Sequence, residues 1–469
     1  MSTKLHDLSA TNLLRLYRAK RASPVEATQA CLSRIEALNE KLNAFCVVDA
    51  DRALRAARES EGRWMRGTPA GSLDGVPVSI KDLLLTSGWP TLRGSRTVDA
   101  DQTWNEDAPA VARLREHRAI LLGKTTTPEF GWKAVTDSAL TGITRNPWSP
   151  GKTPGGSSGG AAVAVATGMG ALAVGTDGGG SIRIPAGFTG IFGLKPSFGR
   201  VPAWPSSLFG TVSHVGPMTR TVEDAALMLD VISRPDARDW FALPYDERDY
   251  RDGLNDGIDG LPIAFAPTLG GASVDPEVAE IVARAVTTFG ELGAHVVEAA
   301  PDLGDVARIE RMHWWTGAAR VVGSIAPELR ERVDPGLLRI AEKASAFTLS
   351  DYLGAVEARA TLGATLSQFH ARYPVLLTPT LPIPAFDAGR LAPPDYGDVD
   401  GDWTVWAPFS YPFNLTQQPA ASVPCGFTRD GLPVGLQIVG PMHEDRLVLR
   451  AARAFETARP WHASYARIA

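Results

Sequence analysis

The sequence predicts an α/β fold, a β-sheet covered by helices on both faces, and three observations carry that prediction. Between about Gly75 and Gly199, short apolar runs alternate with helical segments, the pattern of strands buried on both sides. Glycine and proline punctuate the gaps between the runs. A second strand-and-helix alternation begins after residue 262 and closes on a hairpin signal at Asp430-Gly431. At 469 residues, 44% hydrophobic and 21% charged, the chain is ordinary globular material, long enough to bury a deep core.

The elements follow in order. Leu13, Leu14 and Leu16 start an apolar helical stripe. Ser23-Pro24 supplies an N-cap and first-turn proline for a second helix, whose buried face carries Ala27, Cys31, Ile35 and Leu38. Residues 51–64 read as a third helix. Residues 76–80, 120–122 and 171–175 read as buried strands, with a helix over 111–117. A polar, Asp-rich connection over 236–262 leads to a strand at 263–266. Asp275-Pro276 then caps a helix with Val278, Ile281, Val282, Ala285 and Phe289 inward. Ser350 is the expected cap of a long helix ending near Tyr373, followed by a strand at 375–377 and a loop over 382–402. Strands at 421–423 and 434–439 close the chain, and no internal repeat or low-complexity tail is present.

Charge and leader signals narrow the function classes. Fifty-two acidic and 47 basic residues give a net charge of -5, with no polybasic run, so nucleic-acid and anionic-membrane partners lack electrostatic support. The opening MSTKLHDLSATNLLRLYRAKR has no apolar core or small-residue cleavage site of a signal peptide. No apolar stretch reaches the roughly 18 residues that span a bilayer; the longest, over 161–174, is broken by Thr167, Gly168 and Gly170. Cys31, Cys46 and Cys425 have no metal or redox spacing, and are expected to be buried, reduced thiols of a cytoplasmic protein. None of the eight histidines stands in a metal-ligand spacing.

The chemistry concentrates in residues 154–196, where two Gly/Ser clusters, 155–160 and 178–181, lie inside apolar surroundings. A flexible linker is a poor reading, because the flanking segments need burial. The Gly-Lys-Thr triplets at Gly123 and Gly151 lack the earlier glycine of a phosphate loop. Residues 155–159 match the G-x-S-x-G nucleophile elbow, but the lead-in over 146–154 holds three prolines and cannot be a central strand. A third reading joins the clusters. Residues 171–175 form a strand, and 176–181 a turn at its carboxyl end, where open α/β sheets bind ligands. Three glycines leave the backbone N–H groups of that turn free to hold an oxyanion, beside the nucleophile candidate Ser181. The candidate base is Lys81, at the end of an apolar strand. It reads either as a surface pair with Asp82 or as a buried amine whose pKa falls from about 10.4.

These segments resemble the amidase-signature family. The resemblance rests on Lys81 in GVPVSIKD, on GGSSGG at 155–160, and on GTDGGGSIRIPAGFTGIFGLKPSFGRV at 175–201. Leu122-Gly123-Lys124-Thr125, Thr144-Arg145-Asn146-Pro147-Trp148 and Gly216-Pro217-Met218-Thr219-Arg220-Thr221 also match, as do LLTPTLPIPAF and ASVPCGFTRDGLPVGLQIVGP near the C-terminus. The resemblance spans about residues 8–461. It implies one α/β/α domain over 1–469 with a large mixed sheet: a helical segment 1–65, a signature core 70–235, a variable αβ region 236–372 and a returning core 373–469. It further implies a Ser–cis-Ser–Lys triad, with Ser181 as nucleophile, Ser157 held by a cis peptide as relay, and Lys81 as base. The implied oxyanion donors are the backbone N–H groups of Gly178, Gly179, Gly180 and Ser181, with Ser158, Asp177 and Arg183 supporting the site. No metal and no cofactor are implied. One departure stands out: Gly178 occupies a position where the family often has Thr or Ile.

The implied reaction is hydrolysis of a small-molecule carboxylic amide through an acyl-enzyme. Aromatic residues in cleft-forming segments (among them Trp314, Trp403 and Phe409) favour an aryl or bulky apolar amide or anilide, with ester or carbamate side activity. The expected pocket residues are Trp132, Thr136, Ile182, Trp204, Phe209, Trp315 and Trp406. Two other readings remain. One is the glutaminase component of a tRNA-dependent amidotransferase complex, which usually has Gln where this chain has Ile184 and carries an acidic motif absent from DWTVWAPFSYPFNLTQQPA. The other is a non-catalytic binding protein on the same fold, which the intact triad positions disfavour. The family resemblance is compatible with a homodimer.

Overall fold

Two-residue alternation along each strand decides what lies above and below the sheet in this computed structural model, which describes residues 4–468. In chain order the strands are β1 (Phe45–Val48), β2 (Pro77–Lys81), β3 (Ile120–Thr125), β4 (Asp137–Ser138), β5 (Gly142–Ile143), β6 (Leu172–Asp177), β7 (Phe192–Lys195), β8 (His214–Thr219), β9 (Pro262–Phe265), β10 (His295–Glu298), β11 (Val375–Pro379), β12 (Ala420–Phe427) and β13 (Pro433–Val439). Among the described residues β4 and β5 form a small ribbon, and the other eleven form one mixed sheet in the order β1-β3-β2-β6-β8-β7-β12-β13-β11-β9-β10. β2 runs parallel to both β3 and β6, while β8, β7, β12 and β13 alternate antiparallel.

Alternate residues of one strand serve different cores. Val78 and Ile80 of β2, Leu172 and Val174 of β6, and Leu436 and Ile438 of β13 share one apolar cluster. That cluster is completed by α4 (Pro109–Glu116), α7 (Val222–Ile232), α8 (Pro276–Glu291) and α13 (Asp445–Ala458). Ala173 of β6 and Leu376 of β11 point the other way. There α5 (Gly159–Thr167) and α6 (Arg183–Thr189) cover the centre, and α9 (Val306–Gly323), α10 (Pro335–Ala344) and α11 (Leu349–Arg372) cover one side. The N-terminal α2 (Pro24–Leu42) and α3 (Ala50–Arg66) pack on Ile120 and Leu122 of β3. The fold is α/β, with helices on both faces.

Local signals account for most boundaries. Ser23 and Glu26 form a reciprocal capping box at α2, and Asp275 accepts from Glu277 and Val278 at α8. The long helix α11 is a correction: its cap is Thr348, not Ser350. Thr348 Oγ1 accepts from Asp351 N at 3.1 Å, and Asp351 accepts in return from Thr348 N at 2.9 Å. A second correction concerns Cys46, which lies exposed on the edge strand β1, whereas Cys31 is buried. The expected domain limits 1 and 469 lie outside the described residues. Among those residues no helix is long and apolar enough to cross a membrane.

Candidate active site

Strand parity selects Lys81. With Val78 and Ile80 directed into one core, Ser79 and Lys81 face the opposite side, toward the start of α5. Because β2 and β6 are parallel neighbours, their carboxyl ends coincide, bringing Lys81 beside Thr176. The loop before α5 is no elbow strand; it enters through a cis peptide between Gly156 and Ser157. Its glycines are close-approach positions. A Cβ at Gly159 would lie 2.3 Å from Thr136 Oγ1, and one at Gly160 only 2.5 Å from the Ala44 carbonyl oxygen. Ser158 N donates to Ser181 O at 3.1 Å, so the two Gly/Ser clusters are tied together.

Lys81 is fully buried and makes no ion pair among the described residues, which excludes the surface pair with Asp82. Asp82 instead bonds Lys124 at 3.1 Å. Lys81 Nζ lies 2.7 Å from Ser157 Oγ, 2.8 Å from Ser158 Oγ and 2.8 Å from Thr176 Oγ1. Burial holds its pKa well below the usual lysine value, against a weaker opposing pull from Asp177. The proton of Ser158 is committed to Thr176 O at 3.0 Å, so Ser158 accepts from Lys81. Among the described residues Ser157 Oγ has no partner besides Lys81 and is free to give its proton to a neutral amine. Ser181 Oγ makes no hydrogen bond among them, yet its side chain is not sealed, with the residue 5% exposed. The chain thus presents a buried amine bonded to the Ser157 hydroxyl, with the unpartnered Ser181 hydroxyl on the residue whose carbonyl accepts from Ser158 N.

The turn over 178–181 is fixed from behind. Asp177 accepts from Gly180 N at 2.8 Å and Ile182 N at 3.1 Å, and pairs with Arg183 through Nε and Nη2, both at 3.0 Å. These cationic and amide partners hold its carboxyl below the usual carboxylate range despite full burial. Arg183 is anchored in turn on Ser410 O, Gln437 Oε1 and Asn414 Oδ1. Ser410 Oγ donates to Gly179 O at 2.6 Å. The 179–180 peptide is therefore clamped on both edges, and Gly180 drops out of the expected donor set because its N–H is already bonded to Asp177. The N–H groups of Gly178, Gly179 and Ser181 have no acceptor among the described residues. Glycine at 178 is matched to its neighbour: a Cβ there would lie 2.9 Å from Trp314 Cζ3.

A cleft of about 200 Å³ runs past Thr176, and Trp204, Phe209, Phe130 and Leu208 line it. Phe209 stacks on Trp314 with centroids 4.1 Å apart, connecting this cleft to the back of the turn. Of the seven expected pocket residues, Trp204 and Phe209 line this cleft and the other five lie elsewhere. Trp132 is buried, and its carbonyl accepts both the Trp314 and Trp403 indoles at 2.9 Å. Thr136 Oγ1 donates to Gly155 O and accepts from Gly159 N, holding the loop. Ile182 lies in the core under the turn. Trp315 stacks on Phe347, away from the cleft, and buried Trp406 stacks on Phe188. Sequence reading missed Thr176, Ser410, Asn414 and Gln437. Only Thr176 carried a local signal, as the first residue of the expected turn after the 171–175 strand.

A family model described as amidase matches residues 26–449. The chain is 39% identical to an acylamidase of Rhodococcus erythropolis, over 97% of this chain and 96% of that protein. It is 36% identical to the A component of the glutamyl-tRNA(Gln) amidotransferase of Myxococcus xanthus, over 97% of each. Among solved structures, a bacterial aryl acylamidase of the amidase signature enzymes superposes with a TM-score of 0.91 at 31% identity, covering 99% of both chains. The 6-aminohexanoate cyclic dimer hydrolase superposes at 0.88 with 29% identity, covering 98% of both.

Proposed function

Because this chain belongs to the amidase-signature family and is thus a hydrolase of amide C–N bonds, we propose that it cleaves aryl or bulky apolar amides through an acyl-enzyme on Ser181. The observation that carries the reading is the buried contact of 2.7 Å between Lys81 Nζ and Ser157 Oγ. Neutral Lys81 takes the Ser157 proton, Ser157 takes the Ser181 proton, and Ser181 Oγ bonds to the amide carbon. The N–H groups of Gly179 and Ser181, with Gly178 beside them, stabilise the oxyanion. On collapse the C–N bond breaks, and the proton returns from Lys81 through Ser157 to the leaving nitrogen. Water then attacks the ester by the same relay and releases the acid. The aromatic cleft beside Phe209 and Trp204 supports a bulky apolar or aryl group on the substrate, as does the similarity to an aryl acylamidase.

The second reading, the glutaminase component of an amidotransferase, has the identity of 36% to such a component in its favour. Against it, Ile184 is buried among Gly155 and Gly180. Asp402, the one carboxylate in the stretch before β12, is bonded to Arg311 at 2.7 Å. Release of aniline from acetanilide by the isolated chain, and not by Ser181→Ala, is the expected result. Hydrolysis of glutamine confined to mixtures with the other amidotransferase components would replace the first reading with the second.

A further inference from the structure

Arg93 sits in the same cleft, and its backbone is pinned. Arg93 N donates to Asp82 Oδ2 at 2.9 Å, and its carbonyl accepts from Phe130 N at 2.7 Å. The residue is held at φ 57°, a left-handed conformation uncommon for a residue with a side chain and concentrated at functional sites. The side chain is half-buried and lines the cleft with Leu83, Leu84 and Phe130. Among the described residues its guanidinium makes no hydrogen bond, ion pair or ring contact. Burial depresses its pKa, and Asp82, the carboxylate whose charge opposes that shift, is already bound to Lys124.

The remaining polar groups of the cleft do not neutralise it. Asp239 turns its two oxygens to Ala203 N and Phe241 N, at 2.8 and 2.9 Å. His214 holds Val212 O through Nδ1 at 2.8 Å, and burial keeps its ring neutral. A guanidinium drawn out of water without a counter-ion is costly, and its planar fork of donors matches a carboxylate. We propose that Arg93 is the receptor for a carboxylate on the substrate, so that the preferred amides are aryl or apolar amides bearing an anionic group. This rests on the reading of the cleft as the substrate pocket.

The test separates binding from turnover. Ser181→Ala protein is titrated calorimetrically with two matched pairs. One pair, 4-acetamidobenzoate against 4-acetamidobenzamide, puts the charge on the amine side of the scissile amide. The other, N-phenylglutaramate against N-phenylglutaramide, puts it on the acyl side. At least one carboxylate is expected to bind about tenfold or more tightly than its carboxamide, with the gap shrinking at high salt. Adding Arg93→Met should reduce that gap to less than about threefold, and Arg93→Lys should restore part of it. Equal affinities within both pairs, or a gap that survives Arg93→Met, would overturn the proposal. If wild-type protein binds a carboxylate through Arg93 but cleaves none of the four compounds, the anilide reading fails while the anion receptor stands.

Discussion

Lys81 Nζ lies 2.7 Å from Ser157 Oγ, and among the described residues no carboxylate stands within ion-pairing distance of it. Desolvation pulls the pKa of an amine so placed well below the usual lysine value, and Asp177 opposes that only weakly. In the unfolded chain the same amine is protonated up to about pH 10.4. The unfolded state therefore carries the extra proton, and stability rises with pH until that value. Lys81→Met should raise the melting temperature at pH 7 more than at pH 10, while activity falls by about 10²–10⁴-fold. Wild-type kcat should decline on the acid side as Lys81 gains its proton. A variant that loses stability at pH 7 would show that the lysine is a charged structural group.

Gly178 and Trp314 form a matched pair, since a Cβ on the glycine would meet the far ring of the indole at 2.9 Å. Gly178→Ala should push the turn and cut kcat by about 10²-fold, the scale of one lost oxyanion donor. Trp314→Phe removes the atoms in the way. The double variant should recover at least about tenfold over Gly178→Ala alone, a part of that same donor's effect, which steady-state kinetics on a single anilide will read.

Arg183 directs its side-chain donors to Asp177, Ser410, Gln437 and Asn414, all inside the fold. Lysine cannot reproduce that fork, so Arg183→Lys should cost about 3–5 kcal/mol in denaturant unfolding, the scale of breaking a buried pair. Asp177 adds a pH signature. Its folded pKa is depressed, so its contribution is complete above about pH 4 and lost only as pH falls further.

Glu310 is buried behind Gly179, and neither carboxylate oxygen has a hydrogen-bond partner among the described residues. Burial raises its pKa well above the ordinary value, with Arg359 and Arg183 opposing and Asp402 and Asp177 reinforcing. The folded chain keeps a proton that the unfolded chain releases above about pH 4.3, so stability drops as pH rises. Glu310→Gln removes that dependence. Its melting temperature should gain on wild type between about pH 5 and pH 8; a constant difference would mean that the carboxyl is ionised in the fold.

The strands flanking the site are legible because each is a short apolar run ending at a chemically odd residue: Lys81 after 76–80, the glycine turn after 171–175. Ser157 and Ser181 stand out in Gly/Ser strings inside apolar surroundings, and the family resemblance joins them to Lys81 as the proposed triad. What the sequence does not carry is orientation and distance. Trp314 and Trp315 are neighbours about 100° apart on α9, and sequence cannot say which one faces the turn. Ser410, Asn414 and Gln437 reach Arg183 from 227 to 254 residues away, which no local pattern records. β8 hides behind Gly216 and Pro217, residues of low strand propensity that its neighbours β6 and β7 nevertheless hold in register. The loss of Gly180 as a donor depends on where the Asp177 carboxylate turns.

Labelling the protein with a fluorophosphonate and mapping the adduct by mass spectrometry decides whether Ser181 is the nucleophile, activated through Ser157 by Lys81. Phosphonylation is expected on Ser181, absent in Ser181→Ala and slowed in Lys81→Ala. An adduct on Ser157, or labelling of Ser181 at an unchanged rate without Lys81, would contradict it.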